Sequence, residues 1–528
     1  HRDLHSFPTR RSSDLYDQAL NCYDDLIKRY PQSPRLSEAY LGKANLLYTM
    51  EEYPQAIEAY QMLIKDFEAN NTATERVEKG YLGLAWTYLK SGDMTKAIET
   101  FNAVIDHTQN KIIKVSALTQ IADAYQDTGD LEKAISVYDQ ILQNYPNTPY
   151  TDYAQYRQGV ALLKLGKTSS AILSFQSLEK NFPNSRYNAD ILYYMGVAYF
   201  NKGDWLIAKD YLTKFIQNLA PDHELQPDAH YILGLSCQNL KEHDEAMKIF
   251  KKIERLYPQK IDLVQKVKIS MAKNLYDKGA VQDALREFKI ILYKYPKTTI
   301  ALEALLWLGE YYTQTFDFKN AIMYYEQILS EYATSPQIPE VLLALGQVYY
   351  QKQEFDIALN YFKQIKPEHG QEIYAKAKLS IADTFAQQLD PATAITTYEN
   401  IIKNSPEFSR DAYIKMAAIY KENKDYEKAF LAYRSGLSVK ASTTNSAVKD
   451  SELQFALADL SELMNKSEEA IDAYLKIPYL YPKDTFLVIK AYLRVARIFE
   501  EKEDWTNAKA TYEKILPFDV DEKTFVQE

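Results

Sequence analysis

Residues 146–183, PNTPYTDYAQYRQGVALLKLGKTSSAILSFQSLEKNFP, run from one proline to another and contain the pattern on which the whole chain is built. Gly159 and Ala171 stand twelve residues apart, Gly166-Lys167 lies between them, and Phe175 follows Ala171 by four. Two small residues let two helices approach closely, a glycine ends the first helix, and the ring of Phe175 fills the space beside the crossing. Pro183 has no amide hydrogen and disfavours helical geometry in the residue before it, so Phe182-Pro183 closes the second helix, as Tyr145-Pro146 closes the one before. One helical hairpin is predicted.

The same reading extends in both directions. An Ala recurs at Ala19, Ala56, Ala97, Ala134, Ala171, Ala208, Ala246, Ala284, Ala321, Ala358, Ala394, Ala429, Ala470 and Ala508, at spacings of 35 to 41 residues and most often 37. Four residues later comes an aromatic side chain in every copy but one, Leu212. Twelve residues before each Ala, from the second copy onward, stands Gly or Ala, including Ala44, Ala85, Ala122, Gly159, Gly196, Gly234, Gly309 and Gly346. Pro follows by twelve in seven copies, and Gly92, Gly129, Gly166, Gly203 and Gly279 mark turns. The expected fold is all-α, about thirteen hairpins in which each unit touches only its neighbours.

This register sets the expected domain limits. Residues 1–15, HRDLHSFPTRRSSDL, show no helical face and are expected to be a non-native or disordered leader, so the absence of a targeting segment there carries no information. The array is expected over residues 16–437 and 452–516. Between them lies a polar loop at 438–451, where Gly436 replaces the apolar residue expected seven after Ala429, and residues 517–528 form an interrupted tail.

Composition narrows the function. At 528 residues with only 15 Gly and 44 Tyr, the chain is too long for one globular core and too poor in flexible residues for disorder. Its net charge of −10 comes without a basic cluster to neutralise phosphates, so nucleic acid is not an expected partner. Cys22 and Cys237 fall about six repeats apart and cannot pair within one chain, and Cys237, three after Gly234, reads as a small core residue. The longest apolar stretch, Ala301 to Gly309, is far short of the ~18 residues that span a bilayer. The histidines show no metal-ligand spacing, no glycine-rich phosphate loop occurs, and no nucleophile stands beside an oriented base. No metal, cofactor, small-molecule substrate or enzymatic activity is expected.

The small residue, the aromatic three later (Gly196 to Tyr199, Gly309 to Tyr312), the Ala with its ring at plus four and the closing Pro resemble the tetratricopeptide repeat over roughly Tyr16 to Leu516. That resemblance implies a right-handed superhelical solenoid whose first helices line a concave groove for partner proteins. The groove positions so implied hold Trp86, Tyr153, Tyr156, Leu163, Tyr193, Phe200, Tyr231 and Leu235 in the N-terminal half, an apolar face that reads equally as an interaction surface or as rings buried between hairpins. In the C-terminal half they hold Asp383, Asp411, Lys421, Glu422, Glu452, Asp459, Glu462 and Arg497. Asn45 is followed at its position by Trp86, Asp123 and Val160, which disfavours the carboxylate clamp of chaperone-binding members. The longer linkers around Tyr145-Pro146 and Phe182-Pro183 are similar to those of bacterial envelope members, such as the outer-membrane assembly lipoprotein and the Tol-Pal-associated division coordinator. They imply a periplasmic or outer-membrane-associated setting, with a cytoplasmic one left open. The expected role is a scaffold or adaptor that binds protein segments. The alternatives are a sensor region of a longer multidomain protein and a self-associating structural solenoid.

Overall fold

The computed structural model describes residues 10–70, 75–388, 390–440 and 448–518. The chain divides into two compact units, residues 1–284 and 285–528. The first holds α1 (Arg10–Arg29), α2 (Leu36–Thr49), α3 (Tyr53–Asn70), α4 (Glu75–Ser91), α5 (Met94–His107), α6 (Lys111–Asp127), α7 (Leu131–Asn144), α8 (Thr151–Lys164), α9 (Thr168–Asn181), α10 (Asn188–Lys202), α11 (Trp205–Asn218), α12 (Gln226–Asn239), α13 (His243–Leu256) and α14 (Ile261–Asp277). The unit boundary falls inside α15 (Val281–Lys294). The second unit continues with α16 (Thr299–Gln314), α17 (Phe318–Glu331), α18 (Ile338–Gln351), α19 (Phe355–Gln364), α20 (Gln371–Gln387), α21 (Pro391–Asn404), α22 (Ser409–Glu422), α23 (Tyr426–Ser438), α24 (Asp450–Leu463), α25 (Ser467–Leu480), α26 (Thr485–Glu501) and α27 (Trp505–Glu513). The described residues thus give one leading helix and thirteen successive pairs, an all-α repeat fold.

Within each unit the successive pairs are hairpins of the predicted kind. Ala134, Ala171, Ala208 and Ala321 are fully buried where the two helices cross. A Cβ built on Gly159 would lie 2.4 Å from the Phe175 ring, one on Gly196 2.6 Å from Leu212, and one on Gly234 2.5 Å from Phe250. No real Cβ fits there, so these three positions need glycine for space alone. Within each unit second helices pack on the next first helix, as α3 does on α4 and α7 on α8. First helices also touch the following first helix, α6 with α8, α8 with α10 and α10 with α12 in one unit, and α18 with α20 and α24 with α26 in the other. Within each unit the first helices therefore form a layer with a shared face.

Turn geometry explains what the glycines do and shows a feature that glycine spacing did not predict. Five residues before the signature Ala, Gly92, Gly129, Gly166, Gly203 and Gly279 all have φ between 78° and 89°. At the same place in seven other hairpins stand Glu51, Lys241, Phe316, Gln353, Lys424, Asn465 and Glu503, with φ between 57° and 63°. An L-residue in this left-handed region costs about 1–2 kcal/mol, of which glycine's larger unfolded-state entropy offsets ~0.5–1. Gln353→Gly is therefore expected to stabilise the α18–α19 hairpin by about 1 kcal/mol, read as slower amide hydrogen exchange there, whereas Gly166→Ala should speed exchange in α8–α9.

The residue after this turn caps the second helix. Asp93, Asp130, Asp390, Asp425 and Asp504 each accept the backbone N–H three residues on. Capping and, for most, a neighbouring Lys hold these carboxyls below their ordinary range, with the Lys96 amide foremost for Asp93 and Thr393 for Asp390. A depressed acid stabilises the fold above its unfolded pKa, so the capping contribution is present at neutral pH and is lost as pH falls through the depressed values.

Three boundaries differ from the sequence reading or fall outside the description. α1 begins at Arg10, within the stretch expected to lack a helical face, while residues 1–9 are outside the described residues. Residues 441–447 of the polar loop and 519–528 of the tail are also outside them. The ends of the loop, however, are tied to the core. Arg410 has a side chain only 1% exposed and pairs with Asp450 at 2.6 Å. It also donates to the carbonyls of Val439 at 3.2 Å and Val448 at 2.9 Å. Gly436 is buried against Tyr413 at this junction.

Candidate protein-binding face

The rings assigned to the N-terminal groove lie on the layer of first helices, and all of them are half-buried. Three of them meet. Tyr156 stacks on Tyr187 with centroids 4.8 Å apart and stands edge-on to Tyr194 at 5.7 Å. Tyr153 is tilted against the same Tyr187 at 5.6 Å, and Tyr193 contacts Tyr194 at 5.1 Å and Phe215 at 5.7 Å. The outcome is a continuous aromatic seam across α8 and α10, each ring partly covered by its neighbours and partly open. Tyr187 and Tyr194 join it together, and the groove positions inferred from resemblance had omitted both. Tyr194 sits two before Gly196, one residue from Tyr193, and Tyr187 precedes α10 in a linker that periodicity does not reach.

The other assigned residues take separate places. Tyr231 packs near Phe250 and its hydroxyl lies 3.2 Å from Ser270, while Leu235 joins the same apolar cluster on α12. Trp86 is edge-on to Phe101 at 5.8 Å and lines a cavity of about 430 Å³ with Asn45, Tyr48 and Tyr60, away from the seam. Leu163 packs at the edge of the cluster around Phe175, and Phe200 stands half-buried near the end of α10.

Between these apolar stretches run polar rungs with a fixed register. Tyr138 donates to Asp123 at 2.5 Å, Tyr153 donates to the other oxygen at 2.8 Å, and Arg157 Nε lies 3.2 Å away. In the second unit Tyr398 donates to Asp383, which pairs with Lys415 at 2.8 Å. Tyr474 likewise donates to Asp459 and, at 2.8 Å, to Glu462, with Arg494 3.4 Å from Glu462. The hydroxyl comes four after the signature Ala, the aspartate one after the small residue, and the base two before the next small residue. Where the aspartate position is Val160 or Leu235, the ring is Phe175 or Phe250, with no hydroxyl to satisfy.

These rungs are electrostatically costly. Burial pushes the Asp123 carboxyl above its ordinary range, and Arg157 with the two hydroxyls offsets this only in part. The Tyr138 and Tyr153 hydroxyls are driven far up by burial and by Asp123, and burial raises Tyr60 to about 12. A raised acid means that the ionised form is penalised in the fold, so the Asp123 rung subtracts stability at neutral pH and subtracts less once Asp123 is protonated.

Most of the charged groove positions expected in the C-terminal half have partners within the chain. Asp383, Asp459 and Glu462 serve the rungs, Glu452 accepts the Lys449 N–H at the start of α24, and Arg497 pairs with Glu501 at 3.4 Å. Asp411, Lys421 and Glu422 lie on the same helix, α22. Elsewhere, Cys237 is fully buried and its thiol is pushed up to about 11 by burial, while Cys22 is exposed. Among the described residues no group of three or more His, Cys, Asp or Glu side chains could hold a metal ion, and no helix is long and apolar enough to cross a membrane.

Comparison with known proteins places these features in context. Family models of the tetratricopeptide repeat match residues 10–71, 303–335, 411–443 and 490–516, within both units. The YfiO family, described as an outer membrane lipoprotein, matches residues 154–310, and the 26S proteasome subunit RPN7 family matches residues 46–198. Superkiller protein 3 of Schizosaccharomyces pombe is 32% identical over 89 residues, 17% of this chain, and the match spans 6% of that relative's length. Among solved structures, MamA of Desulfovibrio magneticus aligns at 23% identity over 36% of this chain and 99% of its own, with a TM-score of 0.31. A tetratricopeptide repeat protein of Parabacteroides merdae aligns at 14% identity over 58% and 100%, with a TM-score of 0.38.

Proposed function

We propose that this tetratricopeptide-repeat chain is an adaptor that holds a segment of another protein against its layer of first helices, anchored on the aromatic seam from Tyr153 to Tyr193. The observation that carries this reading is the seam itself, a contiguous row of half-open rings in a layer where isolated rings would close into the core. Open aromatic surface of this kind supplies most of the energy in protein interfaces. The scaffold acts by holding, not by chemistry. Its finer setting, bacterial envelope assembly, is supported by the YfiO family match over residues 154–310, which includes Tyr156, Tyr193 and Tyr231.

The test is affinity capture by the full chain from bacterial envelope and cytosolic extracts, with partners identified by mass spectrometry, alongside a Tyr156→Ala, Tyr193→Ala double variant whose folding is checked by circular dichroism. A partner bound by the native chain and lost from the folded variant is the expected result, and its recovery from the envelope fraction would support the finer setting. An identical set of partners for both proteins would remove the seam as the anchor.

A further inference from the structure

At one end of the seam, α6, the start of α8 and the linker before α10 enclose a cavity of about 640 Å³. Its walls include the carboxylates of Asp123 and Asp152, the rings of Tyr150, Tyr153 and Tyr187, and a single cation, Arg186. We infer that this pocket receives an arginine side chain from an extended segment of the partner, and that Arg186 is an internal stand-in which the partner's arginine displaces. The inference rests on the protein-binding reading above and names the chemistry that reading leaves open.

The argument begins with Arg186 itself. Its guanidinium lies 4.8 Å from the Tyr187 centroid and 2.5 Å from that ring's hydroxyl. The side chain is exposed, and among the described residues no carboxylate comes within ion-pair distance of it. The contact therefore shows a guanidinium resting on this aromatic wall without any buried anchor to keep it there. Asp152 accepts from the Ser185 hydroxyl on one oxygen and from the Tyr153 N–H on the other, each at 2.8 Å, which leaves one lone pair on each oxygen for a planar donor. With Arg186 turned away the lining carries no cation, and because Arg157 already pairs with Asp123 it is Asp152, which has no ion-pair partner among the described residues, that supplies the uncompensated negative charge. Charge complementarity thus selects a cationic occupant. The ring faces of the lining tyrosines favour the flat, forked guanidinium over an ammonium. The half-buried side-chain amide of Gln120, which makes no hydrogen bond among the described residues, is placed to meet the main chain on either side of the incoming residue.

The probe is acetyl-Gly-Arg-Gly amide, followed by saturation-transfer NMR on the full chain, with the citrulline peptide as the uncharged control. An internal competitor lowers apparent affinity by the fraction of time the pocket is free, so Arg186→Ala should raise the arginine signal about three- to tenfold. Asp152→Asn added to Arg186→Ala should remove most of that gain, and citrulline should give little transfer to any of the proteins. Equal transfer to citrulline, or a signal that is unchanged, weaker or absent in Arg186→Ala, would overturn the inference. Arg186 is exposed and its removal does not threaten the fold. If the full chain captures a partner through the seam while the peptide shows no transfer, the adaptor reading stands and the arginine pocket falls. Arginine-specific transfer without seam-dependent capture would do the opposite, keeping the pocket and removing the seam as the anchor.

Discussion

Asp450→Ala is expected to loosen the α22–α24 region by about 3 kcal/mol, more than removal of a partly exposed carboxylate would ordinarily cost. The reason is the other partner. The Arg410 side chain is 1% exposed against 39% for Asp450, so the mutation strands a guanidinium in the core, held among the described residues by the Val439 and Val448 carbonyls. Because an uncompensated buried charge is the source of the loss, adding Arg410→Met to Asp450→Ala should recover a large part of it, leaving the double variant more stable than the single. Hydrogen exchange in α22, α23 and α24 is the suitable readout, since a repeat array unfolds locally and one melting temperature averages over many hairpins. A double variant that exchanges faster than Asp450→Ala would show that Arg410 contributes through packing and its carbonyl bonds, and not as a charge awaiting its partner.

That strap also marks where sequence reading succeeds and where it stops. Thirteen hairpins were legible because each one repeats the same constraint, two small residues twelve apart with a ring at plus four, and the glycines at 159, 196 and 234 prove to have no room for a Cβ. A constraint met many times leaves a periodic trace; one met once does not. Arg410 occurs once, on a helix surface position where arginine is ordinary, and nothing in its neighbourhood announces burial. The turns lie between these cases. Gly166 declared its left-handed backbone, whereas Phe316 and Gln353 adopt the same conformation with side chains that carry no such signal, because the hairpin crossing imposes the turn whatever residue stands there. The aromatic seam was legible in part for a similar reason. Tyr153, Tyr156 and Tyr193 follow from helix register, but Tyr187 comes from a linker and reaches the seam only through the packing of α8 on α10.

The rungs were present in the sequence as a correlation between columns, and their energetics lead to the second large prediction. Tyr138→Ala should cost ~3–5 kcal/mol in the α6–α8 region, since it empties a fully buried ring site and leaves Asp123 with one fewer donor. Tyr138→Phe keeps the ring and should cost only about 1 kcal/mol. The informative variant changes three of the four members and leaves the half-buried Tyr153, whose hydroxyl must then turn to solvent. Tyr138→Phe, Asp123→Val and Arg157→Tyr together reproduce the set that this chain already uses one repeat later, Phe175, Val160 and Tyr194. Burial holds ionised Asp123 at a disadvantage that its partners do not fully offset, and a buried ion pair replaced by well-packed apolar groups is often neutral or stabilising. The triple variant should therefore match or exceed the native chain at neutral pH, although Asp123→Val alone, which strands Arg157, is destabilising. Its advantage should shrink as pH falls and Asp123 in the native chain takes up a proton, because the penalty that the substitution removes disappears with the charge. A triple variant less stable than Tyr138→Phe alone would mean that the rung's hydrogen bonds outweigh its desolvation. In that case the ionic rungs would be what holds one hairpin to the next, and the apolar ones the weaker joints along the array.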